Sequence, residues 1–175
     1  KSVSVAWALS DEKTARRIEA LHHQAVQEAM AWAEDNVFFT RSGKQGREQV
    51  KTKGVIASEF KHYDTRAGDP DLHSHVLVSN KVQAEDGRWL SLDSKALHKQ
   101  AQAISHRYDS ILNPLLSNEM GYTFTACDHG VNKEPTWEID GVSESLMESF
   151  SKRRRGAQPV YKRLVEEFVA ERGAT

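Results

Sequence analysis

Apolar residues recur at helical spacing along two long stretches of the chain, at about residues 11–35 and 93–120. Ser10 predicts the N-cap of the first helix, because acidic residues follow it and favour the positive end of the helix dipole. Gly121 predicts the C-cap of the second helix, and Pro114 predicts a kink or an interruption within it. Each helix therefore has one apolar face to pack against a core.

Shorter segments between and after these helices alternate in polarity or are rich in β-branched and aromatic residues. Strands are predicted at 37–40, 52–60, 72–78, 122–126 and 135–139, with a polar loop over 41–49 and a turn at Asp86-Gly87. Ser143 predicts the cap of a short helix that ends near residue 150. A last helix is predicted over 160–171, with four apolar side chains facing inward: Val160, Leu164, Val165 and Phe168.

This order of elements predicts an α+β fold, in which helices pack on one side of a mainly antiparallel sheet. Residues 1–9 fit two structures, since Val3, Val5, Trp7 and Leu9 alternate as in a strand although the run is short. The length of 175 residues, 38% of them hydrophobic, favours a single domain with its own core.

Composition limits where the chain works. It has no run of about eighteen apolar residues, so no membrane insertion is expected. Cys127 is the only cysteine, which excludes an internal disulfide and indicates a reducing compartment, most simply a cytoplasm. Its position at a strand end predicts a small buried thiol and not a nucleophile.

The net charge of −1 gives no global basic signature for nucleic-acid binding. Basic residues nevertheless concentrate at 41–53 and 152–163, and the second stretch begins with Lys152, Arg153 and Arg154. Such patches fit local contacts with phosphates. Ordinary solvated surfaces produce the same pattern, so charge alone does not decide between the two interpretations.

Three histidines surround a polar turn in the segment "HYDTRAGDPDLHSHVLVSN", which starts at His62. His73 and His75 are two residues apart in a predicted strand, so they project from the same face. If the preceding strand pairs antiparallel with this one so that His62 opposes His73, all three imidazoles converge. Asp64, Asp69 and Asp71 are nearby in sequence, and one of them is a candidate acceptor for a ring N–H.

Three neutral imidazoles with open coordination positions would make a Lewis-acid metal site. The donor set suits zinc, iron, nickel, cobalt or manganese, and spacing does not choose among them. The alternative is that the histidines are exposed or hydrogen-bonded side chains, as most His-x-His pairs are. His98, His106 and His129 are isolated in the sequence, and His22 and His23 are expected at the surface or at an edge of the first helix.

The histidine segment resembles that of conjugative relaxases of the MobF class, the TrwC/TraI type of the His-hydrophobic-His endonuclease superfamily. The residues that carry the resemblance are His62, Thr65-Arg66, the run "DPDLHSH" from Asp69 to His75, and Asn80. Further stretches match in order along nearly the whole chain: "KSVS" at the start, "DGRWLSLD", "LSNEMGYTF" and "FSKRR".

The resemblance implies a relaxase palm, related to the rolling-circle Rep fold, with residues 1–9 opening as a short helix. Residues 1–175 would form a partial relaxase domain that lacks N-terminal sheet strands and the N-terminal tyrosine segment. The tyrosines present are Tyr63, Tyr108, Tyr122 and Tyr161, none of which matches the family's N-terminal pair. The chain alone is therefore expected to bind metal without cleaving DNA, and to self-associate through an open sheet edge.

The implied activity is metal-dependent, site- and strand-specific nicking of plasmid oriT DNA by tyrosine transesterification, with later rejoining. His62, His73 and His75 would hold one divalent ion, Mg²⁺ or Mn²⁺ in function, although Zn²⁺, Ni²⁺ or another divalent ion would also bind. DNA contacts would come from Arg66 and from three basic residues: Lys152, Arg153 and Arg154.

The implied partners are single-stranded or hairpin DNA at the origin of transfer, together with relaxosome and type IV secretion proteins, in a bacterial cytoplasm. Two other functions are compatible with the residues. One is a rolling-circle replication initiator, and the other is a non-catalytic DNA-binding module whose histidines hold a structural metal.

Overall fold

The computed structural model describes residues 1–128, 130–131 and 134–172. Helices and strands follow one another in separate groups, as in an α+β fold, which confirms the predicted class. The helices are α1 (Ser2–Leu9), α2 (Glu12–Asn36), α3 (Ser94–Met120), α4 (Glu144–Ser149) and α5 (Lys152–Arg172). The strands are β1 (Phe39–Ser42), β2 (Glu48–Lys51), β3 (Ala57–Asp64), β4 (Pro70–Val78), β5 (Lys81–Gln83), β6 (Trp89–Ser91), β7 (Phe124–Cys127) and β8 (Thr136–Ile139). No helix in the described part of the chain is long and apolar enough to cross a membrane.

The chain divides into two compact units, and each is built from separate segments of sequence. The first unit comprises Lys1–Ser10, Tyr63–Leu72 and Phe124–Thr175. The second comprises Asp11–His62 and His73–Thr123. All three histidines of the predicted metal site belong to the second unit, so its geometry can be read within one compact body.

The second unit has its core between its two long helices and its short strands. Helix α2 packs along α3 and buries the small and aliphatic face that its periodicity predicted, including Ile18, Leu21 and Ala25. Phe38, at 2% exposure, joins Val82 in a cluster at the end of α2 that further includes Ala33, Val37 and Leu92. Burying such side chains is the main favourable contribution to folding, at about 1.5–3 kcal/mol each.

The strands pair as four two-stranded sheets: β1 with β2, β3 with β4, β5 with β6, and β7 with β8. The β1–β2, β5–β6 and β7–β8 pairs are antiparallel. The 41–49 loop prediction is wrong in part, because β2 starts at Glu48 and pairs with β1 after a 3₁₀ turn at Lys44–Gly46. The next strand consequently starts later than predicted, at Ala57.

The first unit contains α1, the β7–β8 pair and the last two helices. Residues 2–9 are helical, as the family resemblance implied and against their alternating pattern. Ser2 is fully buried and connects α1 to β8, since its backbone N–H donates to Glu138 at 2.7 Å and its hydroxyl accepts from the Ile139 N–H at 2.8 Å. Cys127 ends β7 as a half-buried free thiol.

Two helices start at other residues than predicted, and a third is not interrupted where an interruption was expected. Asp11, not Ser10, caps α2 by accepting from the backbone N–H groups of Lys13 and Thr14. Helix α3 runs through Pro114 without interruption and ends at Gly121, whose φ of 71° is the left-handed cap conformation. Helix α5 starts eight positions before the predicted residue 160, so the basic run lies on its first turns.

The predicted inward face of α5 is also wrong. Four of its apolar side chains are between 41% and 54% exposed: Val160, Leu164, Val165 and Phe168. The sequence periodicity correctly indicates an amphipathic helix, but periodicity does not establish that a partner covers the apolar face within the same chain.

Candidate metal centre

The histidines are presented by β3 and β4, which pair with each other and are joined by a short turn at residues 65–69. The turn closes where the Thr65 N–H donates to the Asp69 carbonyl at 2.9 Å, and Gly68 supplies the left-handed conformation at φ 71°. So short a connection can join only antiparallel neighbours, since parallel strands need about a dozen or more residues to cross over. The hairpin explains how residues eleven positions apart in sequence can become neighbours.

The structure brings His62, His73 and His75 together. Their ring centroids are 5.3 Å apart for His62 and His73, 4.6 Å for His62 and His75, and 4.9 Å for His73 and His75. Each ring offers a nitrogen to a set whose members all lie within 4.8 Å of one another. The Nε2 atoms of His73 and His75 are 3.2 Å apart.

The distance between the Nε2 atoms of His73 and His75 fits a shared metal ion. Two nitrogens that each bind one ion at about 2.1 Å, at an angle of about 90–110°, lie about 3.0–3.4 Å from each other. The Nε2 separation of His73 and His75 falls within that interval. In the absence of an ion, one of these nitrogens can donate a proton to the other, so the same arrangement avoids an unpaired polar group. We call this group of three residues the histidine cluster.

Exposure of the histidine cluster distinguishes an open site from a closed one. His62 and His75 are exposed and His73 is partly buried. A structural metal is normally enclosed by four protein ligands, whereas a catalytic one keeps positions for water or substrate. The cluster has three imidazoles on a solvent-facing hairpin, which leaves room for an exogenous ligand.

The opposite face of the hairpin carries a buried polar network that the sequence patterns did not predict. Ser74, between the two strand histidines, lies 2.9 Å from His22 Nε2 and donates to Glu59 at 2.7 Å. His22 Nδ1 lies 2.7 Å from the hydroxyl of Tyr108. His22 is only 4% exposed, so its predicted surface position is wrong. Its place on the buried stripe of α2, four residues after Ile18, was the signal available in the sequence.

Burial and hydrogen bonding shift the pKa values of this network. Burial lowers the pKa of His22, which favours the neutral imidazole, and burial raises the pKa of Tyr108, which keeps its hydroxyl a donor. Burial alone would raise the pKa of Glu59, but the hydrogen bond from Ser74 and the nearby His23 outweigh it and leave the pKa below its usual value. Glu59 is therefore a carboxylate that can only accept hydrogen bonds.

The predicted DNA-binding residues lie in the first unit. Arg66 is exposed in the turn between β3 and β4. Lys152, Arg153 and Arg154 are exposed on the first turn of α5. Arg153 and Arg154 line an open groove of about 390 Å³, together with Thr65 and Asp69 from the turn. The structure thus brings the basic turn of α5 next to the turn of the hairpin within this unit.

Asp69 has a structural role and is not a partner of the histidine cluster. It is 2% exposed, and its carboxylate accepts the backbone N–H of Lys152 at 2.7 Å, at the start of α5. The carboxylate of Asp69 therefore satisfies one of the unpaired N–H groups of that helix terminus. His98 and His106 are not members of the cluster, and His129 lies outside the described residues.

The basic stretch 41–53 is partly engaged within the protein. Arg41 donates from Nε to the buried carboxylate of Asp93 at 2.8 Å and so anchors β1 to the start of α3. Arg47 donates to the side chain of Gln45 at 2.9 Å. Arg41 therefore has an intramolecular role, which the count of charges could not reveal.

A family model described as TrwC relaxase matches residues 1–175. The multifunctional conjugation protein TraI of Escherichia coli is 33% identical over 163 residues, which cover 87% of this chain and 8% of that protein. This chain thus spans less than a tenth of the length of the curated relatives it matches.

Solved structures of the relaxase TrwC have the same fold. One is TrwC complexed with a 27-mer DNA comprising the recognition hairpin and the cleavage site, with a TM-score of 0.72 and 25% identity over 99% of this chain and 56% of that chain. Another is a metal-bound complex of TrwC with oriT DNA, with a TM-score of 0.74 and 24% identity over 99% and 55% of the two chains. The chain belongs to the TrwC relaxase family.

Proposed function

We propose that this chain forms part of the relaxase domain of a conjugative DNA-nicking enzyme and supplies its metal centre. The reaction is site- and strand-specific cleavage of DNA at an origin of transfer by tyrosine transesterification, followed by rejoining after transfer. The proposal is supported most strongly by the histidine cluster, in which two nitrogens are 3.2 Å apart and all three lie within 4.8 Å of one another. Membership of the TrwC relaxase family gives that cluster its chemical context.

His62, His73 and His75 are the proposed ligands of one divalent ion, Mg²⁺ or Mn²⁺ in function. The bound ion would act as a Lewis acid that withdraws charge from a phosphodiester oxygen. The side chains of the cluster keep the ion on an open face of the hairpin, where a phosphate can reach it. Their rigid attachment to paired strands holds the donor nitrogens in place and so limits the reorganisation needed on binding.

The attacking tyrosine is proposed to come from a segment outside residues 1–175. Tyr108 is committed to His22 on the face of the hairpin opposite the histidine cluster. Tyr63 stacks on Trp7, with ring centroids 5.5 Å apart. Tyr161 is exposed on α5, in the first unit. Tyr108 and Tyr63 are thus each engaged with another aromatic side chain. These contacts support the proposal that the attacking tyrosine comes from another segment.

DNA is the proposed macromolecular partner, through Arg66 and the first turn of α5. Lys152, Arg153 and Arg154 are exposed there, and positive groups at the surface bind phosphates without reading sequence. Hairpin or single-stranded DNA at an origin of transfer is the specific ligand proposed. The other proposed partners are relaxosome and type IV secretion proteins in a bacterial cytoplasm. Self-association of the chain through a sheet edge is also proposed.

The two alternatives are weaker. Membership of the TrwC relaxase family favours a relaxase over a rolling-circle initiator. Exposure of two of the three histidines favours an open site over the closed metal of a non-catalytic module.

The decisive test combines the gene product that carries this chain with supercoiled DNA of the element that encodes it and Mn²⁺. The expected result is a nicked strand whose 5′ end stays covalently attached to the protein through denaturation. A variant with His62→Ala, His73→Ala and His75→Ala should form no adduct, although it retains DNA binding because the basic residues are intact. The matched control is His98→Ala, which alters a histidine outside the cluster and should nick normally.

Two outcomes would contradict the proposal, and a failed control would show that the assay does not isolate the metal centre. Nicking by the triple-alanine variant at the wild-type rate would remove the metal centre from the mechanism. Loss of activity in the His98→Ala control would show that the assay reports general damage. A denaturation-resistant adduct formed by the 175-residue chain alone would overturn the assignment of the nucleophile to another segment.

A further inference from the structure

Ser74 occupies the one position between the two strand histidines. Side chains alternate across a strand, so Ser74 points away from the face that carries His73 and His75. Its side chain is partly buried, and its hydroxyl is hydrogen-bonded to His22 of α2 and to Glu59 of β3. Any rotation of β4 about its axis that moved the two imidazoles would also move this hydroxyl.

The hydrogen bonds of this network have one consistent direction. Ser74 donates to the Glu59 carboxylate, so the Ser74 oxygen must accept from His22 Nε2–H. His22 Nδ1 is then an acceptor, and the Tyr108 hydroxyl donates to it. The donors run from Tyr108 through His22 and Ser74 to Glu59, and they require a single neutral tautomer of His22.

The end of this chain of donors is fixed by α2. Gln27 donates to the second oxygen of Glu59 at 3.1 Å, and His23 Nδ1 lies 2.8 Å from the same oxygen. The side chain of Glu59 is 12% exposed, and His22 is 4% exposed. Hydrogen bonds in such low-dielectric surroundings are costly to leave unmade, so the arrangement resists displacement.

We propose that the network of Tyr108, His22, Ser74 and Glu59 is a positioning device that fixes β4 so that His73 and His75 hold their ligating nitrogens at metal-binding distance. His22, Ser74 and Glu59 are positioning residues, since each acts through the strand and not by touching the ion. The inference rests on the proposed metal-binding function of the histidine cluster.

A purely structural role is the competing explanation, and it makes a different prediction. If the network only stabilised the fold, its loss would lower the melting temperature and leave the ligand geometry of the folded protein intact. If the network positions β4, its loss would alter metal affinity and the ligand field even where the protein stays folded. The two explanations therefore separate in a spectroscopic measurement.

The experiment uses Co²⁺ as the probe, because its visible absorption reports ligand geometry. Wild type, Ser74→Ala and Ser74→Thr are titrated with Co²⁺, and the dissociation constant and visible spectrum are recorded beside the melting temperature of the metal-free protein. Thr40→Ala is the matched control, since Thr40 is fully buried in the same unit and donates to the Ser91 carbonyl at 2.7 Å, away from β3 and β4.

The expected loss of Co²⁺ affinity in Ser74→Ala is about tenfold, near the lower end of what outer-sphere changes produce at metal sites. Its absorption bands should also shift. Ser74→Thr retains the hydroxyl and should restore both properties. Thr40→Ala should melt at a lower temperature while its Co²⁺ affinity and spectrum match those of the wild type.

An unchanged affinity and spectrum in Ser74→Ala would overturn the positioning role while leaving the metal centre in place. A wild-type chain that fails to bind Co²⁺ would overturn the proposed function itself, and the positioning role with it. If Ser74→Ala fails to fold, Glu59→Ala decides the question, because it removes both acceptor oxygens at the end of the network. A folded Glu59→Ala protein with wild-type affinity and spectrum would also refute the inference.

Discussion

Asp93 joins β1 to the start of α3 through two hydrogen bonds. Replacing it should lower the free energy of unfolding by the sum of a helix-cap contribution and an ion-pair contribution. Its side chain is 4% exposed, accepts the Arg41 Nε–H at 2.8 Å and caps α3 by accepting the Ala96 N–H at 3.3 Å. Loss of an N-cap costs about 1 kcal/mol. The contact with Arg41 adds about 1 kcal/mol, discounted from the strength of a buried charged bond because Arg41 is 49% exposed.

Asp93→Ala should therefore lower the free energy of unfolding by about 2 kcal/mol. Asp93→Asn should lose only about half of that, because asparagine is as good an N-cap as aspartate but carries no charge for Arg41. For a chain of this size these losses correspond to melting temperatures lower by about 6 °C and about 3 °C. Thermal and urea denaturation followed by circular dichroism at pH 7 would measure both.

The same variants give a pH dependence with a definite sign. Burial alone would raise the pKa of Asp93, but the hydrogen bonds from Arg41 and Ala96 outweigh it and hold the pKa below the ordinary value of 3.8. A carboxyl with a lowered folded-state pKa contributes stability above its unfolded-state pKa and loses it as the pH falls through the folded-state value. The stability difference between wild type and Asp93→Asn should thus persist at neutral pH and shrink below about pH 4.

The matched control is Asp86→Asn, a substitution in the exposed turn between β5 and β6, where the melting temperature should not change beyond measurement error. Equal destabilisation by Asp93→Ala and Asp93→Asn would refute the separate contribution of the cap. An Asp93→Ala protein as stable as the wild type would refute both proposed contributions of this junction.

Three further predictions test other parts of the molecule. Replacing Lys152, Arg153 and Arg154 with glutamine should weaken binding to single-stranded DNA. The slope of log K against log salt concentration should become shallower by about 0.7 for each phosphate that is no longer neutralised. An unchanged slope, measured by fluorescence anisotropy, would contradict this. Ser2→Ala removes the acceptor that lies 2.8 Å from the Ile139 N–H and should lower the free energy of unfolding, measured with urea, by about 1–3 kcal/mol. A variant with full stability would show that water replaces the hydroxyl. Leu116→Ala should lower the free energy of unfolding by about 2–5 kcal/mol, because Leu116 is fully buried. Leu164→Ala should lower it by less than about 1 kcal/mol, because Leu164 is 53% exposed. Equal losses would mean that the apolar face of α5 is covered in solution.

Local sequence rules predicted the elements whose causes are local. The period of the apolar residues located α2 and α3, Gly121 supplied the cap of α3, and Ser143 capped α4. The histidine cluster was predictable for the same reason, because the two-residue period of a strand puts His73 and His75 on one face and a short turn returns His62 beside them.

The start of α5 could not be predicted from neighbouring residues. Its first N–H groups include that of Lys152, which is satisfied by Asp69, a residue 83 positions away. The hydroxyl of Ser151, the residue before the helix, donates to the Met147 carbonyl at 2.8 Å, and the apolar pattern indicated only the later turns of the helix. The exposure of that apolar face was equally invisible, since a stripe of apolar residues does not reveal whether another segment packs on it.

The polar network behind the hairpin could not be predicted because its members are separated in sequence. The surface position expected for His22 beside His23 is wrong, since the two side chains diverge on the helix and His22 falls on the buried side. Its partners Ser74 and Tyr108 come from β4 and α3. Only the packing of α2 against α3 and the hairpin assembles them.

X-ray absorption spectroscopy of the Co²⁺-loaded chain tests the central claim most directly, because it counts the imidazoles around the ion. We expect three imidazole nitrogens at about 2.0–2.1 Å together with water oxygens, and loss of the imidazole signal in the variant with alanine at positions 62, 73 and 75. An ion bound without imidazole scattering, or one bound equally well by the triple-alanine variant, would show that the histidine cluster is not the metal centre.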